Sequence, residues 1–234
     1  MEVAIAVAKV PKFGLSESGD SVEVVERPRG GLTAIMADGQ THGRAAKRVS
    51  QFVVAKAIGL IADGVRDGAV ARGVHDALFA ARDGKVSTEL TMITVDFRTK
   101  SLVISRNSHV PVFLRHPSGE VERLESYVEP IGVHEVMRPM ITELPMESGL
   151  IALAMTDGIY SAGTRYGAPL NPDDVVAMLA TTPPERVQEL VDGLLEKAME
   201  LDRRRPADDM AVMAVGLAPK ENVEVRRLAI RVPI

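Results

Sequence analysis

Apolar residues recur along the chain at two spacings, which separate predicted strands from predicted helices. Short apolar runs and strict alternation with polar residues predict strands. These strands are Val3–Val10, Ser21–Arg27, Leu32–Ala37, Glu89–Arg98, Leu102–Asn107, Val112–His116, Val121–Leu124, Leu150–Met155, Met210–Gly216 and Val223–Val232. Turn residues at Thr99-Lys100 and at Pro117-Ser118-Gly119 predict that the strands on either side of each turn form antiparallel hairpins.

Helical spacing of apolar residues is found in four other segments. One helix is predicted from about His42 to Ala62 and a second from about Ala69 to Arg82. Asn171 followed by Pro172 is typical of the start of a short helix. The segment Thr182–Glu185 has the pattern of a capping box and predicts a helix that continues to about Leu201.

The order of these elements indicates the fold class. Strands occur in runs and helices occur in runs, without long alternation of strand and helix. That order favours an α+β fold with antiparallel sheets over a parallel doubly wound sheet. A length of 234 residues is enough for a sizeable core, and we expect one domain over residues 1–234.

Composition excludes several functions. The net charge of −4 argues against a general nucleic-acid binder, so no nucleic-acid partner is expected. The absence of cysteine excludes disulfides, thiolate zinc sites and a cysteine nucleophile. No apolar run approaches the roughly 18 residues that a membrane span needs, and the N-terminal run is interpreted as a strand, not a signal peptide. We therefore expect a cytoplasmic protein without a membrane partner.

Aspartate–glycine pairs occur six times, and two of them have an unusual context. Asp38 and Asp157 each come directly after an apolar strand, which would hold the carboxylate rigidly at the edge of a sheet. Asp20 lies just before the strand that begins at Ser21, and Asp208-Asp209 lies just before the strand that begins at Met210. The Asp-Gly pairs at Asp63, Asp67 and Asp83 are interpreted as turns at helix ends, and Asp192 as a solvent-facing residue within a helix.

Four carboxylates at strand ends can converge only if their charges are neutralised, because like charges a few ångströms apart repel each other. A hard divalent cation such as Mg²⁺ or Mn²⁺ would neutralise them, since such ions prefer carboxylate, carbonyl and water oxygens. The alternative is that the four aspartates lie in independent loops. Spacing alone leaves both interpretations open.

Several motifs, in this order, resemble those of the metal-dependent 2C-type serine/threonine protein phosphatases, and of their bacterial SpoIIE-like branch in particular. The motifs are Ser18-Gly19-Asp20, Met36–Gly43 with Ala45-Ala46, Asn107–Pro111 with Pro130-Ile131-Gly132, Met155–Gly158, and Asp208-Asp209-Met210. The resemblance covers about residues 15–217. It implies two antiparallel sheets packed as a sandwich flanked by helices, with a two-metal site at one edge.

The resemblance also implies a role for each site residue. Asp38 would bridge two Mn²⁺ or Mg²⁺ ions, and the Gly39 carbonyl would complete one coordination shell. Asp157 and Asp208 would hold the other ion, while Asp20 would bind a metal-bound water. Asp38, Asp157 and Asp208 would thus support hydrolysis of phosphoserine or phosphothreonine by a metal-activated water. The chain resembles short stand-alone members of the RsbX type that act in partner-switching pathways of stress signalling, and the resemblance implies a STAS-type antagonist of an anti-sigma factor as substrate.

Four positions depart from the family pattern. Thr41 and Ser108 stand where glycine is usual, Ala211 stands where Thr or Ser is usual, and Gln40 stands where eukaryotic relatives carry a histidine proposed as general acid. Thr41, Ser108 and Ala211 keep open a non-catalytic phosphoprotein-binding module on the same fold. A hydrolase acting on small phosphoesters is a further alternative. His109 could be functional or could make a structural hydrogen bond, and His42 could contact phosphate or lie in a solvated loop.

Overall fold

The computed structural model describes residues 1–40, 43–219 and 225–232. Within these ranges the strands are β1 (Glu2–Val10), β2 (Ser21–Glu26), β3 (Gly31–Gly39), β4 (Thr88–Asp96), β5 (Ser101–Asn107), β6 (Val112–Arg115), β7 (Val121–Leu124), β8 (Met140–Pro145), β9 (Ile151–Met155) and β10 (Met210–Ala218). The α-helices are α1 (Gly43–Ala62), α2 (Asp67–Arg82), α3 (Asp157–Tyr160), α4 (Pro172–Thr181) and α5 (Val187–Leu201). Short 3₁₀ turns lie at Thr164–Tyr166 and Pro184–Arg186.

The strands form two five-stranded antiparallel sheets. The first sheet has the order β1-β10-β9-β6-β7, and the second has the order β2-β3-β4-β5-β8. In the first sheet β9 and β10 are adjacent interior strands, and in the second sheet β3 and β4 are adjacent interior strands. Side chains at the ends of these four strands are therefore held by hydrogen bonds on both sides of each strand.

Three apolar cores hold the layers together. Ile93 and Ile104 of the second sheet pack against Leu114 and Met213 of the first, so that the two sheets meet face to face. The outer face of the first sheet packs against α3, α4 and α5, and the outer face of the second sheet packs against α1 and α2. The expected α+β sandwich of two antiparallel sheets flanked by helices is therefore confirmed. No helix within the described ranges is both long enough and apolar enough to cross a bilayer.

Most predicted elements form within a few residues of the predicted ends. The helix predicted from His42 to Ala62 is α1, although His42 itself lies outside the described residues. The predicted cap of α4 is also present, because the Asn171 side chain accepts a hydrogen bond from the Asp173 N–H at 3.0 Å.

The capping box at Thr182–Glu185 was a wrong prediction. Thr182 directly follows α4, and its hydroxyl donates to the Met178 carbonyl of that helix at 2.7 Å. The Thr182 side chain is therefore used at the end of α4 and not at the start of α5. Pro183 and Pro184 have no N–H to donate to a capping side chain. A 3₁₀ turn comes before α5, which begins at Val187. The predicted end of α5 at Leu201 is confirmed.

Two strand predictions also failed. Residues 225–232 of the predicted strand Val223–Val232 are not in a strand, and Val223 and Glu224 lie outside the described residues. The apolar side chains of this segment are exposed, so their alternation has no sheet to support it. Conversely, β8 was not predicted, because it is an edge strand with few buried side chains and its apolar signal is weak.

Candidate metal centre

Asp38 lies on the inner face of the second sheet, near the end of the interior strand β3. It is the penultimate residue of β3, so the prediction that it follows the strand is corrected by one position. Its partner across β3 and β4 is Glu89. Because side chains alternate along a strand, Asp38 lies on the same face as Met36, which belongs to the core between the sheets. The Asp38 carboxyl is thereby aimed at the space between the two sheets.

Asp157 and Asp208 approach this space from the first sheet. Asp157 is the first residue of α3, two positions after β9 ends, and Asp208 lies two positions before β10 begins. Since β9 and β10 are antiparallel neighbours, with Met155 opposite Val212, the end of one and the start of the other lie at the same edge. This pairing brings together two carboxylates that are about fifty positions apart in the sequence.

Asp20 is buried and tied to the same edge by Thr156. The Thr156 hydroxyl donates to Asp20 Oδ2 at 3.0 Å. Thr156 is itself fixed on Ala211 of β10, since its Oγ1 accepts from the Ala211 N–H at 2.9 Å and its own N–H donates to the Ala211 carbonyl at 2.9 Å. The loop before β2 is thus joined to the first sheet directly beside Asp157.

Asp38 is the centre of this group of carboxyls. The charges of Asp20, Asp157 and Glu89 each raise its pKa, so these carboxyls lie near it. The charge of Asp208 is close enough to raise the pKa of Asp38. Asp20, Asp157 and Asp208 thus lie near enough to Asp38 to interact with its charge, and their binding of a shared cation stays a prediction.

Burial and mutual repulsion make these groups weak acids in the metal-free chain. Burial raises the pKa of Asp38 to about 10, with further increases from the charges of Asp20, Asp157, Glu89 and Asp208. Burial also raises the pKa of Asp20 to about 7, although its hydrogen bond from Thr156 acts in the opposite direction. The pKa of Asp157 is raised mainly by burial, then by Asp208 and Glu89. A buried carboxyl with so high a pKa carries a proton at neutral pH or requires a cation.

The chemistry of the donor set fits a hard divalent cation, because the converging side chains offer only oxygen. Across the described part of the chain, no group of three or more Asp, Glu or His side chains already surrounds a common point as metal ligands do. Burial and neighbouring carboxylates raise the pKa values of Asp38, Asp20 and Asp157, which favours their protonated forms when no cation is bound. Cations entering the cluster would displace these protons and would require the carboxyls to turn.

Glycines beside the acids let three segments approach at backbone distance. A Cβ on Gly39 would lie 2.4 Å from the Ala46 carbonyl oxygen of α1, and a Cβ on Gly158 would lie 2.0 Å from the Asp209 carbonyl oxygen. Neither glycine has a positive φ, so a left-handed backbone is not the reason for glycine at these positions. The absence of a side chain is what allows α1 and β10 to close around the acids.

Glu89 is a residue of the site that the sequence reasoning missed. Asp38 of β3, Glu89 of β4 and Ser108 just beyond β5 occupy adjacent positions at this end of the second sheet. Glu89 Oε2 accepts from the Ser108 hydroxyl at 2.6 Å, and Glu89 Oε1 contacts His109 Nδ1. The available signal was a charged residue near the start of a strand whose one other charged residue is Asp96 at its end. The sequence does not give the register that places it opposite Asp38.

Asp209 and two lysines form hydrogen bonds with the segment that leads to Asp20. Asp209 is buried and accepts from the backbone N–H groups of Lys12 and Gly19, each at 2.9 Å. Lys9 and Lys47 both donate to the Asp20 carbonyl, at 3.3 and 3.0 Å. Burial and the neighbouring Lys9 lower the pKa of Lys47. These contacts fix the loop that carries Asp20.

The departures from the family pattern have local structural roles. Ser108 joins Glu89, as described, and its hydroxyl accepts from the Val110 N–H at 3.0 Å. Ala211 is fully buried and uses its backbone to fix Thr156. The Gln40 side chain accepts from the Ser87 N–H at 3.0 Å. Thr41 and His42 lie outside the described residues.

Comparison with known families agrees with this geometry. Residues 28–218 match the model of the family described as Stage II sporulation protein E (SpoIIE). The chain belongs to the SpoIIE family. No match was found among curated protein sequences.

Solved structures of the PP2C type share the fold of this SpoIIE family member. One contains the PP2C phosphatase domain and a fragment of the regulatory domain of SpoIIE from Bacillus subtilis. It is 19% identical with a TM-score of 0.81, and the match covers 93% of this chain and 63% of that one. RsbX in complex with magnesium is 18% identical with a TM-score of 0.70, covering 92% of this chain and 96% of RsbX. The catalytic domain of the serine/threonine phosphatase PstP with two manganese ions is 19% identical with a TM-score of 0.71, covering 93% and 99%. The expected ions, Mg²⁺ or Mn²⁺, are therefore those found in structures of this fold.

Proposed function

We propose that this SpoIIE family member is a metal-dependent protein phosphatase that hydrolyses phosphoserine and phosphothreonine. The observation that carries the proposal is the Asp38 carboxyl at the end of β3, whose pKa is raised to about 10 by burial and then by the charges of Asp20, Asp157, Glu89 and Asp208. A stable fold does not need several carboxyls that repel one another at one place. A site for divalent cations does need them. Asp38, the Gly39 carbonyl, Asp157 and Asp208 are the groups that would hold two Mn²⁺ or Mg²⁺ ions, with Asp20 beside them.

Bound ions would supply a water of lowered pKa and positive charge facing the phosphoryl oxygens. The chain's own groups then have separate tasks. Asp38 presents its carboxyl from the rigid end of β3, between the sheets. Asp20, held by Thr156, would accept a hydrogen bond from a water bound at this site. A cysteine nucleophile is absent from the sequence, which agrees with direct attack by water.

The first test compares Asp38→Asn and Asp157→Asn with the wild type in a Mn²⁺-dependent phosphatase assay on a phosphoserine peptide. Each change removes a negative charge with little change in shape, so we expect kcat/KM to fall by about 100-fold or more, as when a group that acts in the transition state is lost. Calorimetry should show that both variants bind Mn²⁺ more weakly than the wild type does.

Asp63→Asn is the matched control, because Asp63 is also followed by glycine but lies exposed at the end of α1. Its activity and Mn²⁺ affinity should equal those of the wild type. Full activity in Asp38→Asn would refute the proposal. Tight phosphopeptide binding without turnover in the wild type would instead favour the non-catalytic module.

The substrate we propose is a phosphorylated STAS-type antagonist of an anti-sigma factor in a partner-switching pathway. The support is membership of the SpoIIE family and the likeness to RsbX over nearly the whole of both chains. A phosphorylated STAS domain should be dephosphorylated with a kcat/KM at least 10-fold higher than that of a peptide carrying the same phosphoserine. Equal rates on the domain and the peptide would remove the STAS assignment while leaving the phosphatase proposal intact.

A further inference from the structure

Glu89 and His109 form a contact pair at the rim of the candidate metal centre. Glu89 Oε1 contacts His109 Nδ1 and accepts the backbone N–H of His109 at 3.3 Å. The other oxygen, Oε2, accepts from the Ser108 hydroxyl at 2.6 Å. Three contacts from two consecutive residues therefore fix the carboxylate and, through it, the orientation of the imidazole.

The two members of the pair differ in their access to solvent. The Glu89 side chain is 19% exposed, whereas the His109 side chain is 58% exposed. Because Nδ1 is used by Glu89, the ring nitrogen left for an external ligand is Nε2, and no described residue is hydrogen-bonded to it. In this pair the less exposed Glu89 carboxylate orients the imidazole of His109. The more exposed imidazole can contact a bound molecule.

The pair borders the carboxyl cluster and is not a separate surface feature. Glu89 lies opposite Asp38 in the β3–β4 register, and its charge raises the pKa of both Asp38 and Asp157. The positive form of His109 lowers the pKa of Asp157. The other charged group that faces Glu89 is Arg106 of β5, which is buried and donates to the Ser108 carbonyl at 2.6 Å.

Hydrolysis of a phosphoserine ester needs a proton at the departing oxygen, because a serine alkoxide is a poor leaving group. Gln40 cannot supply that proton, and its side-chain oxygen is engaged by Ser87. His75 is buried and accepts from the Gly132 N–H, while His116 and His134 are paired with Glu122 and Glu129. Among the histidines whose surroundings the structure describes, His109 alone borders the carboxyl cluster.

We propose that His109, oriented by Glu89, is the acid that protonates the leaving oxygen of the phosphoester, an inference that rests on the proposed phosphatase activity. As the oxygen of the attacking water bonds to phosphorus, the ester P–O bond breaks. The released electron pair takes the proton of Nε2, which gives the free hydroxyl of the substrate and a neutral imidazole. Glu89 keeps the proton of Nδ1 hydrogen-bonded throughout, and solvent reprotonates Nε2 after product leaves. The proton of the attacking water passes to solvent, so that charge and atoms balance.

A leaving-group series with His109→Gln tests this role. General acid catalysis contributes about 10²–10⁴-fold where the leaving group needs a proton. We expect kcat on phenyl phosphate and on a phosphoserine peptide to fall by about 100-fold. On p-nitrophenyl phosphate, whose leaving group departs as a stable anion, kcat should fall by less than about 3-fold. Glu89→Gln should show the same selectivity with a smaller loss, because the imidazole remains but is less well oriented.

Two further readouts separate proton donation from a structural role. The kcat of the wild type on the poor leaving groups should decrease as the pH rises and the acid loses its proton, and this decrease should be absent in His109→Gln. Mn²⁺ affinity by calorimetry and the Tm should be unchanged in His109→Gln, since the ring is exposed. His134→Gln is the control, because His134 is an exposed histidine in the same kind of pair with a glutamate, Glu129.

Each outcome bears on one of the two proposals. An equal loss on all three substrates, or no loss on any, overturns the role of His109 while the wild type remains an active phosphatase. A wild type that neither binds Mn²⁺ nor hydrolyses any of the three substrates overturns the proposed function itself, and the inference about His109 fails with it.

Discussion

Asp208 and Asp209 are consecutive in the chain, but their carboxyls have different surroundings. Asp208 is partly exposed, and the one hydrogen bond its side chain makes to a described residue is with the N–H of Asp209, at 2.9 Å. Asp209 is buried and accepts from two backbone N–H groups of the segment that leads to Asp20. The first carboxyl is therefore available to a cation, whereas the second holds the chain in place.

This contrast predicts opposite effects for two alanine variants. Asp209→Ala leaves the N–H groups of Lys12 and Gly19 without their acceptor, and each unsatisfied buried group costs about 1–3 kcal/mol. We expect the free energy of unfolding to fall by about 2–4 kcal/mol, measured by urea denaturation of the metal-free protein. Asp208→Ala should change it by about 0.5 kcal/mol or less and should instead weaken Mn²⁺ binding in calorimetry. Equal losses of stability in the two variants would contradict this division of roles.

At the same scale, the sequence identifies single site residues better than it identifies which residues lie next to them in the folded structure. Asp20, Asp38, Asp157 and Asp208 could be selected because each lies beside an apolar run, and the charges of the other three raise the pKa of Asp38. Glu89 could not be selected in this way, since its importance depends on lying opposite Asp38 across two strands that are fifty positions apart. A register between distant strands is set by tertiary packing and leaves no local pattern.

At the scale of elements, α1 is fixed on the second sheet by a contact that excludes any side chain at Gly39. An added Cβ would lie 2.4 Å from the Ala46 carbonyl, so the helix would have to move away from β3. Gly39→Ala should therefore lower the free energy of unfolding by about 1–3 kcal/mol or more. It should also weaken Mn²⁺ binding, because Asp38 is the preceding residue.

Gly59→Ala is the matched control on the same helix. Gly59 has no atom within 4 Å of an added Cβ, so alanine should raise stability by about 0.5–1 kcal/mol through its higher helix propensity. Urea denaturation measures both variants. A stabilising effect of Gly39→Ala would show that the close approach of α1 is not needed.

Elements differed in how well their sequence predicted them, for reasons of burial. Interior strands such as β3, β9 and β10 are buried on both faces, and their continuous apolar runs identify them. The edge strand β8 is mostly exposed and was missed. The segment at 225–232 has the alternation of a strand but forms none, because alternation produces a strand only where a sheet edge accepts it.

At the scale of the whole molecule, the site couples the two sheets electrostatically. Asp38 and Glu89 belong to the second sheet, whereas Asp157 begins the helix that follows β9 of the first sheet and Asp208 lies just before β10 of that sheet. Closing the sandwich therefore brings like charges together, and the metal-free fold tolerates this by retaining protons on Asp20 and Asp38. Protons and divalent cations thus compete for one place in the fold.

That competition gives a pH dependence whose sign follows from the raised pKa values. Folding moves the pKa of Asp20 from 3.8 to about 7 and that of Asp38 to about 10. The folded state thus binds more protons than the unfolded state between these values, and stability decreases as the pH rises. In the presence of a chelator, the Tm of the wild type should be lower at about pH 8.5 than at about pH 5.5. Asp38→Asn, which cannot ionise, should show a smaller decrease.

Manganese should reverse this trend, because the ion binds the ionised carboxyls and competes with their protons. The increase in Tm on adding Mn²⁺ should be larger at about pH 8.5 than at about pH 5.5, and calorimetry should detect protons released on binding. A metal-free Tm that rises with pH across this window would mean that the carboxyls are not held close together. An increase in Tm with Mn²⁺ that is equal at both pH values would mean that the ion binds elsewhere than among these aspartates.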